Sequence, residues 1–157
     1  MEASNEAIKG QEIVLEDLRQ KCLWNSLSES EGGDTSLWWS YISRVHKTCY
    51  SVINEDCSKS AFKKLELDWN ENAKCVRSSF TSSDKSKWTA KKTRNTVIDS
   101  EISYWKEFGT NVYPSLVINQ KTYRGQIEPA AVYNALCAAF KDPPTQCLKT
   151  LHREPTD

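Results

Sequence analysis

No two cysteines in this chain stand three positions apart. The six cysteines are separated in turn by 27, 8, 18, 62 and 10 positions. A catalytic dithiol needs two thiols close together at a helix start, where one pKa is lowered and exchange is fast. Autonomous oxidoreductase chemistry therefore has no attacking pair here, and the same spacings exclude an ordinary zinc ribbon. Histidine is scarce: His46 and His152 lie far apart, neither heads a metal or acid–base motif, and both read as surface residues. Glycine-rich phosphate loops are absent. No asparagine opens an Asn-x-Ser/Thr pattern, so N-glycosylation is not expected. Acidic residues are plentiful but lie on amphipathic faces, and no pair stands out for general acid–base work. Catalytic, cofactor-binding and metal-ligating residues are accordingly assigned as none.

Excess charge of either sign is missing as well. Twenty-one basic and 21 acidic residues give a formal net charge of zero, which removes the clustered cations expected of a nucleic-acid binder. Apolar runs fall far short of the ~20 residues a membrane helix needs, so no membrane contact by this chain is expected. Residues 1–10 are polar and carry Glu2 and Glu6 where a secretory leader would be basic and then apolar. No signal peptide is therefore expected within the chain. Six cysteines beside a single methionine nevertheless favour structural disulfides and an oxidising compartment.

What the sequence does contain is 38% hydrophobic residues over 157 positions, enough for one domain with a modest core. Residues 12–24 place Ile13, Leu15, Leu18, Cys22 and Leu23 on one helical face, with Glu16, Asp17, Arg19 and Lys21 mostly outside it. Residues 25–36, rich in serine, glycine and acid, read as a linker. Thr35 or Ser36 caps the next helix, where Trp38, Trp39, Ile42, Val45 and Cys49 recur at three and four. Both tryptophans are expected in the core rather than stacked on a ligand. Asp56 is the expected cap of a third helix through Cys57, Ala61, Phe62 and Leu65. Trp69 and Cys75 follow it or begin another turn.

Residues 78–86 form a polar loop. The basic stretch from Lys85 to Arg94 around Trp88 reads as a solvated face, because Asp99, Glu101 and Glu107 follow at once. Val97, Ile98, Ile102, Trp105 and Phe108 then mark a helix ending at Gly109. Residues 115–118 have the composition of a buried strand, Asn119-Gln120-Lys121 supplies a turn, and Thr122-Tyr123-Arg124 returns as the second strand of a hairpin that Gly125 breaks. Glu128-Pro129 opens a last helix, with Val132, Leu136 and Phe140 on one stripe. Asp142-Pro143-Pro144 stops it, and residues 149–157 form a polar tail.

Several of these stretches resemble one family. Pro114-Ser115-Leu116-Val117-Ile118-Asn119, Tyr123-Arg124-Gly125, Leu136-Cys137-Ala138 and Cys147-Leu148 are similar to the thioredoxin-like luminal domain of plant-type vacuolar sorting receptors. Glu16-Asp17-Leu18-Arg19-Gln20-Lys21-Cys22 and Trp38-Trp39-Ser40-Tyr41 agree with it in the same order. All six cysteines have counterparts there. The resemblance spans residues 11–148 and implies an α+β, mostly helical fold: the C-terminal part of a thioredoxin-like unit, residues 95–140, joined to an inserted helical subdomain, residues 11–77. It also implies a cis Tyr113–Pro114 bond, against a general frequency of about 5–6% for X–Pro bonds.

The resemblance further implies a non-catalytic module of a receptor that sorts soluble protein cargo, located in the Golgi and prevacuolar lumen. Such receptors carry a signal, a protease-associated domain and the start of the thioredoxin-like region upstream, with EGF modules and a membrane helix downstream. The chain is therefore expected to be a truncated piece, an incomplete gene model or a divergent short paralogue. Two alternatives are a fragment of a thiol-disulfide oxidoreductase whose active cysteines lie upstream, and a small secreted disulfide-stapled domain.

Six cysteines allow fifteen connectivities, which sequence alone does not choose among. If the first three helices run up, down and up, Cys49 and Cys57 flank one turn and can meet. Cys22 and Cys75 are left together at the other end, and Cys137 and Cys147 form a local pair. Cys22 and Cys49 would be roughly 18 Å apart along such helices, too far to bridge.

Overall fold

The computed structural model describes residues 8–30, 32–108 and 113–148. Among them it contains α1 (Gly10–Glu29), α2 (Ser36–Thr48), α3 (Glu55–Lys64), α4 (Trp69–Ser79), a 3-10 turn (Lys85–Lys87), α5 (Thr96–Phe108), β1 (Val117–Ile118), β2 (Lys121–Thr122), α6 (Pro129–Ala138) and α7 (Thr145–Leu148). The chain divides into two compact units, residues 1–100 and 101–157. The fold is mostly helical with one small sheet.

In the first unit the core has two parts. Leu23, Tyr41, Val45, Cys49, Ala61 and Phe62 form one, where α1, α2 and α3 meet. Leu15, Leu18, Cys22 and Val76 form the other, between α1 and α4, with Val97 and Ile98 against it. Tyr41 and Phe62 are fully buried and meet edge to face at 4.8 Å, a geometry favoured by the ring quadrupoles.

Several expectations need correction. Helix α1 continues to Glu29, so residues 25–29 of the expected linker are helical. Its buried face includes Glu16 and Arg19 as well as the leucines, while Ile13 is exposed. Charged residues were placed outside this face on hydropathy, but these two neutralise each other and find hydroxyl partners, which permits burial. Thr35 occupies the N-cap of α2 without a side-chain bond; Asp34 Oδ1 instead accepts from the Ser36 amide at 2.8 Å. Asn54, not Asp56, caps α3, accepting from the Cys57 amide at 2.9 Å.

A full fourth helix starts at Trp69, with Asp68 accepting from the Asn70 and Glu71 amides. Asp68-x-x-Glu71 has the spacing of a capping box, the sequence signal for this helix. The loop after α4 is closed by a bridge between Phe80 and Asn95. Asn95 is buried, donates to Ser79 Oγ at 2.7 Å and caps α5 through the Ile98 amide at 3.0 Å.

In the second unit the hairpin is shorter than its sequence suggests. Val117 pairs with Thr122 and Ile118 with Lys121. Asn119 and Gln120 both have positive φ, 47° and 63°, the left-handed pair that a two-residue turn matched to strand twist requires. Val117, Ile118 and Thr122 are half-buried rather than buried, and Lys121 is exposed. Pro129 sits in the first turn of α6 after Glu128, where its missing amide costs nothing. Helix α6 ends at Ala138, so Phe140 lies beyond it. Leu136 and Phe140 are 41% and 52% exposed, so of the expected apolar stripe Val132 alone is covered, and that in part, among the described residues. Gly109, the expected helix stop, and the tail at 149–157 lie outside the described residues.

Candidate functional site

All six cysteines are in disulfides: Cys22 with Cys75, Cys49 with Cys57, and Cys137 with Cys147, at Cα separations of 6.0, 5.9 and 5.4 Å. Cys22 lies on α1 and Cys75 on α4, so this bond joins the helices of the second core part. Cys22, Cys49 and Cys147 are buried. Every sulfur is thus committed to holding the fold. Among the described residues no group of three or more His, Cys, Asp or Glu side chains is placed to hold a metal ion.

The Tyr113–Pro114 bond is cis, and Tyr113 is among the most exposed aromatic residues of the second unit. The Tyr123-Arg124-Gly125 stretch has a steric logic. A Cβ at Gly125 would overlap the Tyr123 ring, whose hydroxyl donates to the Gln126 carbonyl at 3.3 Å. Glycine here lets the ring lie across the backbone. Asn119 Nδ2 donates to the Ala139 carbonyl at 2.9 Å and Tyr133 Oη to the Gln146 carbonyl at 2.8 Å, tying the hairpin and α7 to α6.

Trp38 and Trp39 separate. Trp38 is half-buried, and its Nε1 donates to the Gln20 carbonyl of α1 at 2.9 Å. Trp39 is 63% exposed, so its expected place in the core is corrected. Neighbouring helical residues point about 100° apart, and the face carrying Trp38, Tyr41 and Val45 already meets the core.

Sequence patterning missed a concave site between α1 and α4, a cavity of about 80 Å³. Leu15, Ala73 and Val76 give it an apolar floor, and Trp69 and Trp88 form its sides. Trp88 stacks on Phe80 with centroids 4.2 Å apart, and its Nε1 donates to the Ser82 carbonyl at 3.0 Å. Both indole faces carry a cation, Arg19 at 5.8 Å from Trp69 and Lys85 at 6.0 Å from Trp88, an attractive arrangement. Lys85 also binds Glu55 at 2.8 Å, and the bond from Lys85 holds the Glu55 carboxyl below its ordinary pKa. The solvated loop from Lys85 to Arg94 thus contributes two of the walls. A wider groove of about 610 Å³ lies beside Cys22 and Cys75, and its charges are acidic: Glu29, Glu66, Asp68 and Glu71.

A family model described as the vacuolar sorting receptor thioredoxin-like domain matches residues 1–137. The chain belongs to this family. It is 33% identical over 153 residues to Vacuolar-sorting receptor 7 of Arabidopsis thaliana, covering 92% of this chain and 23% of that protein. Vacuolar-sorting receptor 4 of Arabidopsis thaliana is 29% identical over 146 residues, 90% of this chain and 22% of the receptor. Vacuolar-sorting receptor 1 of Pisum sativum is 29% identical over 149 residues, 92% of this chain and 23% of the receptor. The chain therefore spans less than a quarter of the length of these relatives. Membership makes this a receptor-related, thioredoxin-like domain. No helix among the described residues is long and apolar enough to cross a membrane.

Proposed function

We propose that this chain is a non-catalytic binding module of a receptor that carries soluble proteins through the lumen of the secretory pathway toward a vacuole or lysosome-like organelle. The observation that carries this reading is the match of about nine-tenths of the chain to relatives named as vacuolar-sorting receptors. The chemistry of the site is compatible with it. All six sulfurs are cross-linked, and the cavity between α1 and α4 offers apolar, aromatic and cationic walls suited to recognition. In this reading residues 11–77 act as a helical insertion, and residues 95–140 are the C-terminal part of an incomplete thioredoxin unit.

The test is a cargo titration. A vacuolar sorting receptor ectodomain containing this segment is compared with one lacking it, using a soluble vacuolar protein as ligand. Weaker binding without the segment is expected, whereas unchanged affinity would overturn the reading.

A further inference from the structure

We propose that the cavity between α1 and α4 holds one apolar side chain of an acidic peptide segment. The proposal rests on the binding-module reading and names the ligand chemistry of its site.

Size comes first. Small-molecule and cofactor sites run to about 300–1,000 Å³, so a cavity of about 80 Å³ suits a single side chain. Its apolar floor and two indole walls favour an aliphatic group such as leucine or isoleucine.

Asn72 fixes one wall of the site. It is 5% exposed, and its Nδ2 donates to the Arg19 carbonyl at 2.9 Å, which fixes the orientation of the amide. Its Oδ1 is buried with no hydrogen-bond partner.

Charge selects the flanks. Arg77 at the rim is exposed and forms no ion pair among the described residues. The one carboxylate of the cavity, Glu55, is already bound by Lys85. A peptide with acids beside its apolar residue therefore complements this rim, while the neighbouring groove with Glu29, Glu66, Asp68 and Glu71 repels it.

The test uses the whole, disulfide-intact chain and three glycine-flanked peptides carrying glutamate–leucine–glutamate, lysine–leucine–lysine or glutamate–glycine–glutamate. By fluorescence anisotropy the first is expected to bind at least about fivefold more tightly than either of the others, the factor that roughly one rim charge or one buried side chain carries. Arg77→Glu should reverse the charge preference, and Ala73→Leu should fill the cavity and weaken binding. If Ala73→Leu fails to fold, NMR of the unaltered chain replaces it. The indole Nε1 signals of Trp69 and Trp88 should shift with the acidic peptide while that of Trp39 stays in place.

Equal affinity for all three peptides, shifts confined to other tryptophans, or insensitivity to Arg77→Glu would overturn the pocket. None of these touches the receptor reading, which fails only if removing the whole segment leaves cargo affinity unchanged.

Discussion

Tyr41 donates its hydroxyl to Glu16 Oε1 at 2.8 Å inside the helical core, where neither residue is more than 3% exposed. Burial first, and the Glu16 carboxylate second, push the Tyr41 phenol above its ordinary pKa, so it remains a donor at any physiological pH. Glu16 also accepts from Ser58 Oγ at 2.6 Å and from Arg19 at 3.3 Å, and Gln20 completes the set at 3.2 Å. Arg19 has its own second acceptor in Ser58. Three helices are thus joined by one satisfied polar network.

Breaking that network from one side should be costly. Glu16→Leu leaves the Arg19 guanidinium buried without its counter-charge, an expected loss of about 3–5 kcal/mol. Tyr41→Phe removes one bond to a charged acceptor, about 1.5–3 kcal/mol. The double variant Glu16→Leu/Arg19→Met should recover much of the first loss, because no orphaned charge remains. Urea denaturation of the four proteins measures this. A double variant no more stable than Glu16→Leu would contradict the argument.

Acid should weaken the fold through particular carboxylates. The Ser36 amide, helped by the Ser36 hydroxyl, lowers the pKa of Asp34. The Ser86 hydroxyl and amide do the same for Asp84, and the Lys85 bond for Glu55. A depressed folded-state pKa contributes stability that is present above the unfolded value of about 4 and is lost as pH falls through the folded value. Asp17, on the exposed side of α1, has the opposite sign: partial desolvation and then the neighbouring Glu16 charge raise its pKa, so its ionisation opposes folding slightly at neutral pH. Melting temperatures are expected to fall below about pH 4. Asp17→Asn should raise them at pH 7 and make no difference once pH lies below the unfolded value; a lowered melting temperature at pH 7 would refute this.

The helices of the first unit were legible because burial leaves a period. Val45 and Cys49 recur at four, as do Ala61 and Leu65 at the end of α3 and its C-cap, whereas the fully buried Tyr41 falls outside the stripe read through Trp38, Ile42 and Val45. What hydropathy hid was the polar part of the core. Glu16, Arg19, Ser58 and Asn72 are buried because they bond one another or a backbone carbonyl, and no single-residue scale registers such partnership. The cavity was hidden for the same reason, since Leu15, Val76 and Trp88 come from stretches far apart in sequence. In the second unit the opposite error arose: Leu136 and Phe140 have core composition but lie exposed, because patterning shows what a residue prefers and not whether a neighbour exists to cover it.

The disulfides should differ in weight. Cys22–Cys75 closes a loop of 53 positions and Cys49–Cys57 one of 8. Loop entropy then assigns about 4 kcal/mol to the first and about 2.5 kcal/mol to the second. Paired Cys→Ser replacements are expected to lower stability in that order and to increase hydrogen exchange in α1–α4 before it increases in the hairpin. Non-reducing peptide mapping of protein made in an oxidising compartment should return the three pairs, and a Cys22–Cys49 peptide would sink the assignment.

Fast reduction of a protein disulfide needs an activated thiolate with a second thiol close by to resolve the mixed disulfide, and no two of the six cysteines stand three positions apart. The chain is expected to leave insulin intact under conditions in which a thioredoxin reduces it. Turnover comparable to a thioredoxin would overturn the non-catalytic reading.

The last expectation concerns the open side of the second unit. Its sheet is two strands of two residues, so both strands are edges. Tyr113, Ile127, Leu136 and Phe140 are 75%, 47%, 41% and 52% exposed, and among the described residues of this unit only Cys147 belongs to the buried apolar set. Unpaired strand edges beside exposed apolar side chains template association with other chains. If residues 95–140 are the C-terminal part of a thioredoxin unit, the remaining strands should pair with this edge and cover those side chains. Joining the chain in cis to the stretch that precedes the matched region in a relative such as Vacuolar-sorting receptor 7 is then expected to raise its solubility. It should also sharpen its thermal transition, because the hairpin would melt together with a larger sheet. Light scattering and calorimetry on the two proteins make the comparison, and equal solubility with equal cooperativity would show that this edge has no partner in that stretch.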